Sequence, residues 1–152
     1  MNNLQQYILE KLHIDRNTKI NRDNEEFFWK WIEDVPFSMV NKVNQYGPEK
    51  LYDCNIKLKI SVEDFRIIEY IYAKKVDAMY QILLDDDKAD MSDDGCWYAA
   101  CLSPFYGEKL YTHAIQTKNW KIVCDRNKGE DMGYAMNPDD YNRYLISKHI
   151  KI

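Results

Sequence analysis

The sequence predicts a single α+β domain, a small and mostly antiparallel sheet covered by helices. Three observations carry that prediction. Residues 62–84 place apolar side chains at helical spacing over an unusually long stretch. Residues 54–60 and 110–124 instead show short, alternating or β-rich apolar patterns. The two kinds of segment are interspersed without regular β-α-β alternation, which favours α+β over a parallel doubly wound sheet. At 152 residues the chain fits one domain, 1–152, and is long enough to bury a core without disulfides or metal.

Each element has its own signal. Leu4, Tyr7, Ile8 and Leu12 recur as one helical face, and the polar run from Asp15 to Arg22 reads as a loop, so residues 1–22 form a peripheral helical head and loop. Asp23 stands three residues before Glu26, a capping pattern that opens a helix carrying Phe27, Phe28, Trp31 and Ile32 and ending at Pro36. Ser38 caps a short helix that stops near Gly47-Pro48. Ile56, Leu58 and Ile60 alternate with Lys57 and Lys59, the pattern of a half-buried strand. Ser61 caps the long helix, whose inner face is Phe65, Ile68, Tyr72, Val76, Met79 and Leu83. The acidic stretch 85–94 follows, then a short helix broken at Pro104. Leu110–Gln116 and Trp120–Cys124 read as two strands joined by Thr117-Lys118-Asn119, and 125–133 as a charged loop. Asn137-Pro138-Asp139-Asp140 starts the last helix: a capping Asn, Pro in the first turn, and acids at the positive end of the helix dipole.

Composition narrows the function classes. Hydrophobic residues make up 45% and charged residues 30%, a globular mix that argues against disorder. The net charge of −4 lacks the basic footprint of a nucleic-acid binder, and no apolar run is long enough to span a bilayer. The expectation is therefore a partner that is neither nucleic acid nor membrane. No secretory start precedes the first helix, so the four cysteines are expected as reduced thiols in the cytoplasm. Neither a phosphate-cradling glycine loop nor a Gly-x-Ser-x-Gly turn occurs, and no cofactor is expected. Phe, Tyr, Met, Ile, Asn and Lys far outnumber Gly, Ala, Arg and Pro, which points to an AT-rich genome.

Three constellations bear on chemistry. Cys96 follows Gly95 at the expected start of a helix, where the dipole favours a thiolate. His113 opens the first strand of the expected hairpin and Asp125 closes the second, which supplies a nucleophile, a base and an orienting acid. Gly95-Cys96-Trp97, His113-Ala114 and Trp120 through Asp125 resemble the corresponding pieces of papain-like and transglutaminase-like enzymes. The resemblance implies a cysteine hydrolase or acyltransferase with Cys96, His113 and Asp125 as its catalytic residues. Alternatively, Cys96, Cys101, His113 and Cys124 could supply three thiolates and an imidazole to a structural zinc. Asp90 to Gly95 begins like a calcium loop, but its twelfth position is Cys101 rather than a bidentate Glu, so it reads as a solvated acidic loop. His13 and His149, near helix C-termini, read as capping or surface residues.

The leading expectation rests on the aromatics. Twelve Tyr and four Trp are many for this length, and both types favour protein interfaces. Trp29, Tyr46, Tyr52, Tyr134, Tyr141 and Tyr144 are the candidate interface residues, with Trp29 read as the outward ring of the Phe27–Trp31 run. The expected function is non-enzymatic: a binding or assembly protein that engages another protein or itself. The segment Tyr7 to Ile14 and the polar run to Ile20 resemble the helical heads of small bacteriophage proteins, which implies a phage accessory or virion component.

Overall fold

The computed structural model describes residues 22–124 and 129–152, and among them every regular element is helical. The elements are α1 (Arg22–Asp34), α2 (Ser38–Tyr46), α3 (Glu49–Lys57), α4 (Val62–Asp85), α5 (Asp93–Leu102), α6 (Glu108–Thr117), α7 (Glu130–Ala135) and α8 (Pro138–Ser147). Short 3-10 turns at Ser103–Tyr106 and Trp120–Ile122 flank α6. The expected α+β class with its antiparallel sheet is thus overturned: no strand occurs among the described residues. The peripheral head proposed for residues 1–22 lies, but for Arg22, outside them.

The misread segments share a physical cause. Residues 54–60 cross the end of α3, where Leu51, Tyr52 and Asn55 are buried at helical spacing. Lys59 then adopts a left-handed conformation at φ 58°. Its N–H bonds to the Ile56 carbonyl, and the Ile60 N–H bonds back to the Asn55 carbonyl at 2.9 Å. That is a Schellman stop, a device normally signalled by glycine. Lys118 ends α6 in the same way at φ 56°, with the Asn119 N–H reaching the Ala114 carbonyl. The expected hairpin turn is therefore a helix stop, and Tyr111 and Ala114 bury one face of a helix rather than a strand. His149, at φ 57°, closes α8 by the third such stop. With no glycine at these stops, the β-branched residues nearby dominated the local pattern.

Ser61 and Asn137 cap their helices as expected, whereas α1 begins at Arg22, before Asp23, and Phe37 rather than Ser38 occupies the cap position of α2. Ser61 accepts a hydrogen bond from the Asp64 N–H at 3.0 Å, and α4 runs 24 residues, about 36 Å. Asn137 accepts from the Asp139 and Asp140 N–H groups, both at 3.1 Å. Ser92 accepts from the Gly95 N–H, so Asp93 and Asp94 belong to the first turn of α5, where the dipole favours them.

The buried residues form one continuous core around α4, which packs against α1, α5 and α8. Residues 68–73 of α4 are buried without interruption, so this helix is enclosed at its middle. An aromatic cluster of Trp31, Phe65, Phe105 and Tyr141 fills one side, with ring centroids 5.3–6.1 Å apart. The polar edges of these rings are satisfied. Trp31 Nε1 donates to Asn55 Oδ1 at 2.8 Å, and Tyr141 donates to the Ile60 carbonyl at 2.6 Å. On the opposite side Tyr111 donates to the Lys75 carbonyl. Part of the tyrosine excess is therefore interior packing: Tyr72, Tyr111 and Tyr141 tie their hydroxyls to backbone carbonyls.

Two glycines set how closely α7 approaches α5. A Cβ on Gly129 would lie 1.7 Å from the Tyr98 carbonyl oxygen, and one on Gly133 would lie 2.9 Å from Cys101 Sγ. Only a residue without a side chain allows backbone to approach this closely. No helix among the described residues is long and apolar enough to cross a membrane.

Candidate functional site

Cys96 lies in the first part of α5, as the triad requires, but its thiol is buried in the core. Desolvation, reinforced by Asp93, raises its pKa, the reverse of nucleophile activation. His113 sits on the exposed face of α6 rather than on a strand, and Asp125 lies outside the described residues. No hydrogen bond joins the Cys96 thiol to the His113 ring among the described residues. The other thiols are no more reactive. Burial pushes Cys101 up to about 12, partly offset by a hydrogen bond from Tyr72, and pushes Cys124 up to about 12 with added repulsion from Cys101 and Cys96. Those three thiols are thus neighbours, but no group of three or more His, Cys, Asp or Glu converges as a metal site among the described residues. His13 lies outside the described residues, and His149 forms the stop of α8.

The six aromatic candidates separate sharply. Tyr52 and Tyr141 are core residues, 5.6 Å apart. Trp29, read as outward, is only 7% exposed and packs between Phe28 and Tyr111. Tyr144 is half-buried and donates to Asp53 Oδ1 at 2.6 Å. Tyr46 and Tyr134 are open to solvent, at 61% and 65% exposure. Tyr46 lies beside Lys50, on the first turn of α3.

Tyr134 lines a cleft of about 990 Å³ between α4, α5, α7 and the start of α8. Its aromatic lining comes from Tyr72 and Tyr80 of α4, Trp97 and Tyr98 of α5, and Tyr134 of α7. Tyr80 and Trp97 meet edge to face, 5.5 Å apart at 81°. Tyr98 and Tyr134 share a hydrogen bond, which with partial burial pushes the Tyr98 phenol up to about 12. Exposed Asp93, Asp94 and Glu130 complete the rim, giving it negative charge. The volume lies at the upper end of the range for small-ligand sites, and the mixture of rings with a few polar groups is characteristic of them.

Glu69 lines the same cleft and is only 1% exposed. Its Oε2 has no hydrogen-bond partner. Desolvation lifts its pKa well above the ordinary value; Arg66 opposes the rise and Asp139 adds to it. Arg66, one turn earlier on α4, spends its Nη2 on Asp139 Oδ1 at 3.0 Å, and its Nη1 is likewise buried without a partner. A buried carboxyl with an unsatisfied oxygen costs stability, so its place beside an open cavity is informative. The signal was present in the sequence. Glu69 falls four residues after Phe65 and three before Tyr72, an acid within the apolar stripe of α4. Tyr80, Trp97 and Tyr98 had no such signal, because their meeting depends on how α5 lies against α4.

Compared with models of protein families, with curated proteins and with solved structures, the chain has no match in any of the three.

Proposed function

We propose that this is a non-enzymatic binding or assembly protein that engages another protein through the cleft between α4, α5 and α7. The observation that carries the reading is the separation of the aromatics. The core takes Trp29, Trp31, Tyr52, Tyr111 and Tyr141, whereas Tyr80, Trp97, Tyr98 and Tyr134 remain at least partly open around one cavity. Rigid aromatic rings with polar tips make strong contacts at little entropic cost, which is why they dominate binding hot spots. An acidic rim disfavours phosphate, so neither nucleic acid nor an anionic membrane suits this surface. Four free thiols fit a cytoplasmic setting.

Selection of yeast-displayed random peptides on the intact protein tests the reading. Enriched peptides are expected to lose binding to the Trp97→Ala/Tyr134→Ser double variant. Failure to enrich any peptide, or enrichment indifferent to both substitutions, would overturn it. The cysteine hydrolase alternative has no comparable observation in its favour, because the Cys96 thiol is buried and its pKa is raised.

A further inference from the structure

We infer that the cleft is a receptor for a guanidinium group, the side chain of an arginine presented by a partner protein, with Glu69 as its anionic floor. This deepens the binding reading and rests on it. Three independent features converge on a cation. Glu69 lines the cavity, and its buried Oε2 is unpartnered. Five aromatic side chains line the walls, and the face of such a ring attracts a cation through its quadrupole. The rim carries Asp93, Asp94 and Glu130, and no Lys or Arg lines the cleft among the described residues. Arg66, whose charge opposes the rise in the Glu69 pKa, gives Nη2 to Asp139 and keeps Nη1 unpartnered, so it leaves Oε2 unsatisfied.

Guanidinium suits this cleft better than ammonium. It is planar, so it stacks on Tyr and Trp rings; it is more weakly hydrated, so entering an aromatic site costs less; and its paired N–H groups match a carboxylate. Binding would place a positive charge beside a carboxyl whose pKa burial raises, and the pairing favours the ionised form of Glu69. The proton leaves to solvent and the charge balances within the pair.

NMR titration of the isotope-labelled full chain tests this with four probes: acetyl-Gly-Arg-Gly-amide, the same tripeptide with citrulline, the same with lysine, and free agmatine. The arginine tripeptide is expected to shift the Trp97, Tyr98, Gly133 and Tyr134 resonances and to move the Glu69 carboxyl carbon toward its ionised position. Citrulline keeps the shape without the charge and should bind about ten-fold or more weakly, the loss expected for one charge-assisted hydrogen-bonded pair. Glu69→Gln, checked for an unchanged amide spectrum, should erase that preference while leaving residual aromatic contact. Lysine binding as tightly as arginine would overturn the guanidinium assignment. Agmatine binding more tightly than the tripeptide would overturn the partner-protein source in favour of a small guanidine. Shifts confined to the cleft but equal for arginine and citrulline would sink the cation receptor and leave the binding reading standing. No cleft shift with any probe, together with no enriched peptide from display, would sink both.

Discussion

At the scale of the residue, the decisive group is Glu69. A carboxyl whose pKa is raised in the folded state binds its proton more tightly there than in the unfolded chain. Its contribution to stability is therefore complete below the unfolded value and is lost as pH rises through the folded one. Glu69→Gln has no such proton to lose. The two proteins are expected to melt at similar temperatures in mild acid, with the variant increasingly the more stable toward alkaline pH. Circular dichroism melts of both across that range check the sign. Arg66 and Asp139 are retained in both proteins, so their charges cancel in the comparison. A variant that instead lost stability with rising pH, relative to wild type, would show that Glu69 is held ionised. The thiols give a second expectation at this scale. Native-state alkylation by iodoacetamide at neutral pH should be slow at all four cysteines and slowest at Cys101, fully buried and pushed up to about 12. Cys54, half-buried and with Lys57 and Lys42 partly opposing its rise, should react first. Mass spectrometry of the modified peptides resolves the order, and rapid selective modification of Cys96 would revive the nucleophile.

At the scale of the element, the helix stops explain both the architecture and its earlier misreading. Lys59, Lys118 and His149 occupy a left-handed conformation that costs an L-residue about 1 kcal/mol. Lys118→Gly should relieve that strain and stabilise the protein by up to about 1 kcal/mol, the gain reduced by glycine's greater freedom when unfolded. Urea unfolding measures it, and a loss of stability would show that the Lys118 side chain does something beyond occupying the stop. At the other helix ends the sign reverses. Asn137→Ala removes an acceptor for two N–H groups at the start of α8 and should cost about 1–2 kcal/mol. Because Tyr141 and Tyr144 of α8 reach Ile60 and Asp53, fraying at this cap should also loosen the junction with α3.

At the scale of the molecule, α4 is the beam against which α1, α5 and α8 pack, and the cleft exists because α7 is held against α5. Gly129→Ala would drive a methyl into the Tyr98 carbonyl, so α7 must shift. The expected cost is about 1–3 kcal/mol, with the Tyr98–Tyr134 hydrogen bond and the shape of the cleft lost together. An unchanged stability in Gly129→Ala, measured by chemical denaturation, would show that α7 is not locked in this way. Far-UV circular dichroism should be that of a predominantly helical protein.

How much of this was legible depends on the range of the forces involved. Two helix starts were readable because a cap is local: Ser61 and Asn137 each bond to an N–H two or three residues away. The long helix was readable because its apolar stripe repeats over six turns. The helix stops were not, because a Lys or His in the left-handed region leaves no mark that glycine would leave. Residues 110–117, rich in β-branched and aromatic side chains, were drawn into α6 by the burial of Tyr111 and Ala114 against the rest of the fold. That is a tertiary preference overriding a local one. The aromatic excess was visible from composition alone, but which rings face water was not, since the answer turns on helix packing. The sequence by itself determined where α4 begins and runs, and that an acid stands within its apolar stripe. Only the tertiary structure decided that the acid is buried beside a cavity with an unpartnered oxygen, because neighbouring helices, not the local chain, determine whether a buried carboxyl finds a partner.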